Sequence, residues 1–433
     1  VESNGLPKLL IKGGRVVDPA SGMDGISDVL IAGDRIVAVG PGLAAEQATV
    51  VDATGLVVAP GFIDLHCHLR EPGEETSETI ETGTRAAARG GFTVVCPMPN
   101  TRPVNDNAAV TRAICERAAA VAATRVWPIG AVSQGSRGEA LAEIAAMKAE
   151  GIVAVSDDGR PIATARLLRQ VMEYCRELDL PVIDHCEDAS LAAGAVMREG
   201  LQSLRLGLPG MPAATEAVAV ARDVLIAELT GARLHIAHLS TRSALELVRQ
   251  ARQRGLAVTC EVTPHHFTLT DEDVSYDSRF KVNPPLGSRE DRDALLEGLA
   301  DGTVDAIATD HAPHEPARKE VEFERAPFGM IGFETALGLA LDRLYHTGLI
   351  SLMRLVELFT TGPARVLGRL RRLAPGEPAD LTLFSLDRRW TYRVAESASR
   401  SRNTPFDGWS FRGGPVMTVV AGRVVYDARQ ANS

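Results

Sequence analysis

Lysine is almost missing from this chain. It stands at Lys8, Lys12, Lys148, Lys281 and Lys319 and nowhere else in 433 residues, and arginine supplies the rest of the 46 basic residues. Cysteine is sparse too. The six residues at 67, 96, 115, 175, 186 and 260 contain no C-x-x-C pair, which argues against a disulfide scaffold and for a reduced compartment. No apolar run reaches the roughly 20 residues of a membrane helix. The first residues lack the basic-then-apolar pattern of a secretory leader. No basic block interrupts a net charge of −10, so a nucleic-acid surface is not expected. No glycine-rich phosphate turn follows an early strand, which removes the main signature of a dinucleotide fold. These absences leave a cytoplasmic protein that acts on a small molecule, with no membrane and no nucleic-acid partner.

What is present is a large apolar fraction, 45%, in a chain long enough for one large domain and a smaller one. Both ends read as short β-branched runs with Gly, Asp and Pro between them: 9–18, 28–40 and 49–61 early, 379–384 and 416–426 late, the last with a turn at Ala421 and Gly422. They are expected to form one small β-sandwich from residues 1–58 and 369–433. The middle, 59–368, alternates strand and helix eight times. Strands are predicted at 57–65, 93–98, 125–132, 152–157, 181–185, 234–239, 257–262 and 305–309. Helices are predicted at 79–89, 165–178 and 243–254, among others. Eight βα units over about 300 residues suit an α/β fold of the TIM (β/α)8 type, whose chemistry sits where the strands end.

Five motifs stand at such strand ends: D-L-H-C-H-L-R (64–70), S-D-D-G (156–159), D-H-C-E (184–187), H-I-A-H (235–238) and A-T-D-H-A-P-H (308–314). Side chains alternate along a strand, so residues 64, 66 and 68 are expected on one face. His66 and His68 can then chelate a metal. His185 and His238 extend the ligand set. By the same parity Cys67 and Cys186 face away as small buried residues. A two-metal site also needs a bridging anion. No lysine follows the fourth strand, since Lys148 lies in the preceding helix, so an aspartate must bridge, and Asp157 and Asp158 are both candidates. Asp310 can bind a metal and move a proton.

With these motifs on the page, the chain resembles the dihydroorotases of the amidohydrolase superfamily, in the bacterial class with an aspartate bridge. The likeness also covers P-M-P-N-T (97–101), V-T-P-H-H (262–266), V-N-P-P-L (282–286) and S-R-N-T-P-F (401–406). The resemblance implies His66 and His68 on the first metal, Asp158 as the bridge, His185 and His238 on the second metal, and Asp310 as first-metal ligand and acid/base. It implies Arg70, Asn100 and His314 at the substrate carboxylate. It implies Asn283 and the backbone of Pro327, Phe328 and Gly329 beside the ring.

The implied reaction is reversible hydrolysis of L-dihydroorotate to N-carbamoyl-L-aspartate in pyrimidine biosynthesis. Hydroxide generated between two divalent ions would attack the ring carbonyl, with zinc as the first expectation for a His/Asp ligand set. Two other readings remain open. One is a hydantoinase, dihydropyrimidinase or allantoinase-like cyclic amidase, opposed by Arg70, His314 and the missing lysine. The other is an inactive dihydroorotase-like partner of aspartate transcarbamoylase, opposed by the complete ligand set. A homodimer, or an active chain assembled with the transcarbamoylase, is compatible with the sequence.

Overall fold

The computed structural model describes residues 8–44 and 46–430. Both ends of the chain enter one eight-stranded sheet. Its order is Arg423–Asp427, Ser410–Val420, Leu381–Thr391, Leu56–Pro60, Lys8–Asp18, Met23–Ala32 and Arg35–Gly40, with Ala48–Asp52 also paired to Lys8–Asp18. The expected runs 28–40, 49–61 and 416–426 each divide at a turn. The sandwich expected from the sequence is one continuous sheet here. Lys8–Asp18 carries a register shift between Ile11 and Gly14. Ahead of the shift it pairs with Ala48–Asp52, and beyond it with Leu56–Pro60. Ile11, Val29, Val58, Leu381 and Val419 from both ends share one apolar cluster.

The run expected as the first strand of the middle region, 57–65, is split. Leu56–Pro60 stays with the terminal sheet, and Phe62–Cys67 begins a second layer. Gly61 sits between them. A Cβ there would come within 2.1 Å of Thr93 Oγ1, so the chain turns where only glycine fits.

Two parallel sheets make up the middle: Phe62–Cys67, Phe92–Pro97 and Arg125–Val126, and then Val182–Asp184, Leu234–Ile236, Val258–Val262 and Ala306–Ile307. Isolated bridges join them, Gly130 to Val155 and Val155 to Val182 on one side and Cys67 to His311 on the other. The predicted third strand is cut short and the fourth is reduced to these bridges. Pro128 and Pro181 lie beside it and offer no N–H to the ladder; their carbonyls still accept from Val153 and Val155.

Helices follow the strands, including Ile80–Arg89, Ala165–Glu177 and Arg242–Gln253, within a residue of the expected ends. Thr79, Thr164 and Thr241 cap them by accepting a backbone N–H. No helix among the described residues is long and apolar enough to cross a membrane.

Candidate metal centre

Strand Phe62–Cys67 does not alternate cleanly. Its register against Phe92–Pro97 slips by one residue between Asp64 and Cys67, a bulge of the kind that re-aims side chains. Leu65 therefore joins Ile63, Val94 and Cys96 in one apolar cluster, while Cys67 belongs to another. This corrects the expectation that Asp64 shares the face of His66 and His68. Asp64 instead accepts from Thr309 N at 2.8 Å and Thr309 Oγ1 at 2.6 Å. Burial raises its pKa to about 7 against those bonds.

Beyond the bulge the two histidines converge. His66 Nε2 lies 3.3 Å from Asp158 Oδ2 and 3.6 Å from Asp310 Oδ1. His68 Nε2 lies 3.6 Å and 3.2 Å from the same two oxygens. The other oxygen of Asp158, Oδ1, faces His185 Nδ1 at 3.7 Å and His238 Nε2 at 3.5 Å. One carboxylate thus stands between two pairs of imidazoles.

Asp157 points elsewhere. It accepts from Val132 N at 3.0 Å, Ser133 N at 3.1 Å and Ser133 Oγ at 2.5 Å, which leaves it a structural role. Of the two aspartates, Asp158 is the one that faces the imidazoles. Burial would raise the Asp158 pKa, but His66, His238 and His68 hold it well below the usual carboxylate range. Asp310 is likewise held down against burial, chiefly by His68 and His66.

The donor set fits divalent cations. His66 Nε2 and Asp158 Oδ1 are buried and have no hydrogen-bond partner among the described residues. Such lone pairs, aimed at one another's neighbourhood, are costly unless something accepts them. Three of the four outer nitrogens face a hydrogen-bond partner, as metal-bound imidazoles commonly do. His66 Nδ1–H donates to Glu261 Oε1 at 3.0 Å and His68 Nδ1–H to Asn100 Oδ1 at 3.0 Å. His185 Nε2 lies 3.4 Å from Glu187 Oε2. The outer nitrogen of His238, Nδ1, has no such partner.

Glu261 and Glu187 are site residues that the sequence reading passed over. The signal for Glu261 was available: a carboxylate in the middle of a buried strand, Val258–Val262. It also accepts from His235 Nε2 at 3.2 Å. Burial raises its pKa, but His235 and His66 bring it down to about 2.

A cavity of about 210 Å³ opens over this cluster. His68, Arg70, Asn100, Asn283, Asp310, His314, Phe328 and Gly329 are among its walls; of the expected contacts only Pro327 is not. A larger groove of about 530 Å³ beside Trp390 is lined by no histidine or cysteine and by none of the candidate ligands His66, His68, Asp158, His185, His238 and Asp310. Asn100, expected at the substrate, is the acceptor that orients His68, a contact not foreseen. Arg70 is half-buried, donates Nε–H to Pro313 O at 3.1 Å, and has no carboxylate partner among the described residues. His314 donates Nε2–H to Phe328 O at 2.7 Å and leaves Nδ1 without a hydrogen-bond partner among the described residues. Asn403, from the late S-R-N-T-P-F motif, holds this wall. Its Oδ1 accepts from His314 N at 3.1 Å, and its Nδ2 donates to Gly329 O at 3.1 Å.

The comparisons with known proteins fit this geometry. The sequence pattern of the family described as "Dihydro-orotase-like" matches residues 55–244. A dihydroorotase of Solibacter usitatus is 57% identical over 98% of this chain and 99% of its own. The chain belongs to the dihydroorotase family. A second dihydroorotase, from Pelotomaculum thermopropionicum, is 53% identical over 98% of this chain and 99% of its own. Among solved structures, the L-hydantoinase (dihydropyrimidinase) of Arthrobacter aurescens superposes with a TM-score of 0.88 at 25% identity, covering 98% and 96% of the two chains. Dihydroorotase relatives and hydantoinase neighbours together make the chain a metal-dependent cyclic amide hydrolase with a mixed α/β fold.

The cysteines of this dihydroorotase-family chain test the parity argument. Cys186 Sγ–H points to Asp223 Oδ2 at 3.2 Å, in an ion-pair cluster where Arg222 bonds both Asp184 and Asp223. Cys67→Ala and Cys186→Ala should each cost roughly 1 kcal/mol of stability and leave the bound-metal stoichiometry at the parent value. Metal analysis of the purified variants, alongside thermal melts, checks this.

Proposed function

We propose that this chain interconverts L-dihydroorotate and N-carbamoyl-L-aspartate at the cavity over Asp158 and Asp310. Two divalent cations, zinc first among them, would be held by His66, His68 and Asp310 on one side and His185 and His238 on the other, with Asp158 between. When bound they would lower the pKa of a water and polarise the ring carbonyl.

The chain's own residues do the rest. In hydrolysis a C–O bond forms at the ring carbonyl and the ring C–N bond breaks. Asp310, ionised at neutral pH, takes the proton of the attacking water and returns it to the departing nitrogen. Arg70 receives the substrate carboxylate, flanked by Asn100 and His314. Asn283, Pro327, Phe328 and Gly329 face the ring.

The observation that carries this reading over a hydantoinase is Arg70. A guanidinium with no internal carboxylate, in the wall of an acidic cavity, suits an anionic substrate. Hydantoin and dihydropyrimidine rings lack that carboxylate. The complete ligand set speaks against an inactive partner of aspartate transcarbamoylase.

The same proposal includes a closed (β/α)8 barrel over 59–368, supported by the bridges from Cys67 to His311 and through Val155, and a smaller β unit from 1–58 and 369–433. It includes a cytoplasmic location and, for assembly, a homodimer or a complex with aspartate transcarbamoylase.

Metal analysis followed by assays on dihydroorotate, hydantoin and allantoin is the test. Preference for a neutral ring would replace this reading with the cyclic-amidase one. Asp158→Ala should lose most of one metal ion and nearly all activity. Full two-metal occupancy in that variant would remove its bridging role.

A further inference from the structure

Two of the five lysines are buried at one place. Lys281 is 2% exposed and Lys319 5% exposed, and neither has an ion pair among the described residues. Glu324 acts electrostatically on Lys281 and Asp277 on Lys319. Their partners are backbone carbonyls of a single turn and its approach. Lys281 Nζ donates to Phe323 O at 2.8 Å and Glu324 O at 2.9 Å, and stands 4.6 Å over the ring of Phe328. Lys319 Nζ donates to Pro327 O at 2.9 Å, Gly329 O at 3.0 Å and Lys281 O at 3.5 Å. Gly329 N–H closes the loop on Lys281 O at 2.8 Å.

Gly329 has φ +123°, and a Cβ there would meet Ala312 Cβ at 2.6 Å and His314 Nε2 at 3.2 Å. The turn therefore has little freedom of its own once these carbonyls are fixed. Phe328 O, within it, orients His314. Lys281 also lies two residues before Asn283.

We propose that Lys319, through the carbonyls of Pro327 and Gly329, and Lys281, through those of Phe323 and Glu324 just ahead of them and its place over the Phe328 ring, are positioning residues that clamp the segment 323–329 and so set where His314, Phe328 and Gly329 meet the substrate. This rests on the substrate wall proposed above. Residue type supports the assignment. A compact ammonium offers three donors that can converge on three carbonyls, whereas a guanidinium spreads its donors in a rigid planar fork. In a chain that uses arginine for nearly every other positive charge, two of the five lysines meet at this one segment. Burial is unfavourable to both ammoniums and pulls Lys281 to about 8 and Lys319 to about 7, so their retention here has a cost that another residue type would avoid.

The test uses the full chain loaded with zinc. Lys319→Met and Lys281→Met keep the apolar stem and remove the donors. Hydrogen exchange of the peptide 323–330 should accelerate about ten-fold, as expected for lost buried hydrogen bonds, with peptides of strand Val258–Val262 unchanged. KM for dihydroorotate should rise by roughly ten-fold with metal content intact and kcat much less affected. Lys319→Gln, which retains two donors, should recover part of the KM change and carries both readouts if the methionine variants do not fold. Unchanged exchange overturns the clamp. Faster exchange with unchanged KM overturns positioning and leaves a stabilising role only. Arg70→Met run in parallel separates the failures: if it leaves dihydroorotate kinetics untouched, the substrate wall itself is misassigned, whatever the lysine variants do.

Discussion

Asp310→Asn should lower kcat on dihydroorotate by about 10²–10⁴-fold or more, the contribution of a positioned acid/base group, in a protein that still folds. The residue is 5% exposed, with Oδ1 3.2 Å from His68 Nε2. Among the described residues Asp158 is the other carboxylate facing His68 Nε2, and it is engaged by four histidines. Asparagine is the informative substitution for a backbone reason as well. Asp310 has φ +45°, a left-handed conformation that Asn tolerates and most residues do not. The loss of turnover can then be read as loss of proton transfer and of one metal contact, not of the turn. Turnover, metal content and melting temperature measured on one preparation check it. Near-parent turnover would remove Asp310 from the reaction.

Arg70→Met should damage catalysis on dihydroorotate severely and a neutral ring much less. Removing one partner of a desolvated charge pair costs ~2–5 kcal/mol, about 30- to several-thousand-fold at ~1.4 kcal/mol per factor of ten. Among the described residues Arg70 is bonded through Nε to Pro313 O alone, so the rest of its fork is available to a ligand. The quantity to follow is the ratio of kcat/KM for dihydroorotate and dihydrouracil. It should shift by roughly ten-fold or more between parent and variant. Equal losses on both substrates would mean that Arg70 supports the cavity wall instead.

Much of this centre was legible in the sequence because each ligand follows a short apolar strand, and strand ends are where such a fold gathers its side chains. His66, His68, His185, His238 and Asp310 converge as expected, and Cys67 and Cys186 face away. The misreadings have local physical causes. Asp64 was placed on the site face because strict alternation cannot foresee a bulge at Leu65 and His66. The fourth strand is reduced because two neighbouring prolines withhold donors, a tertiary effect invisible within 152–157 itself. The choice between Asp157 and Asp158 turned on Ser133 and Val132, which lie in the loop after Arg125–Val126 and are distant from both in sequence. Glu261 and Asn403 were missed because each acts on another residue: one holds His66, the other holds Gly329. Single-residue chemistry points to ligands more readily than to the groups that orient them.

The sheet built from both ends also sets a problem of timing. Leu56–Pro60 pairs with Leu381–Thr391, and Phe62 N–H is taken up by Thr382 Oγ1 across 320 residues of chain. At roughly 5–20 residues per second of synthesis, that edge of the early strands waits about 15–65 s for its partner. Throughout that interval it presents an unpaired ladder of the kind that recruits other nascent chains. A ribosome-bound fragment halted before residue 381 should therefore be the species most dependent on a chaperone, although every residue of the metal centre has already been made.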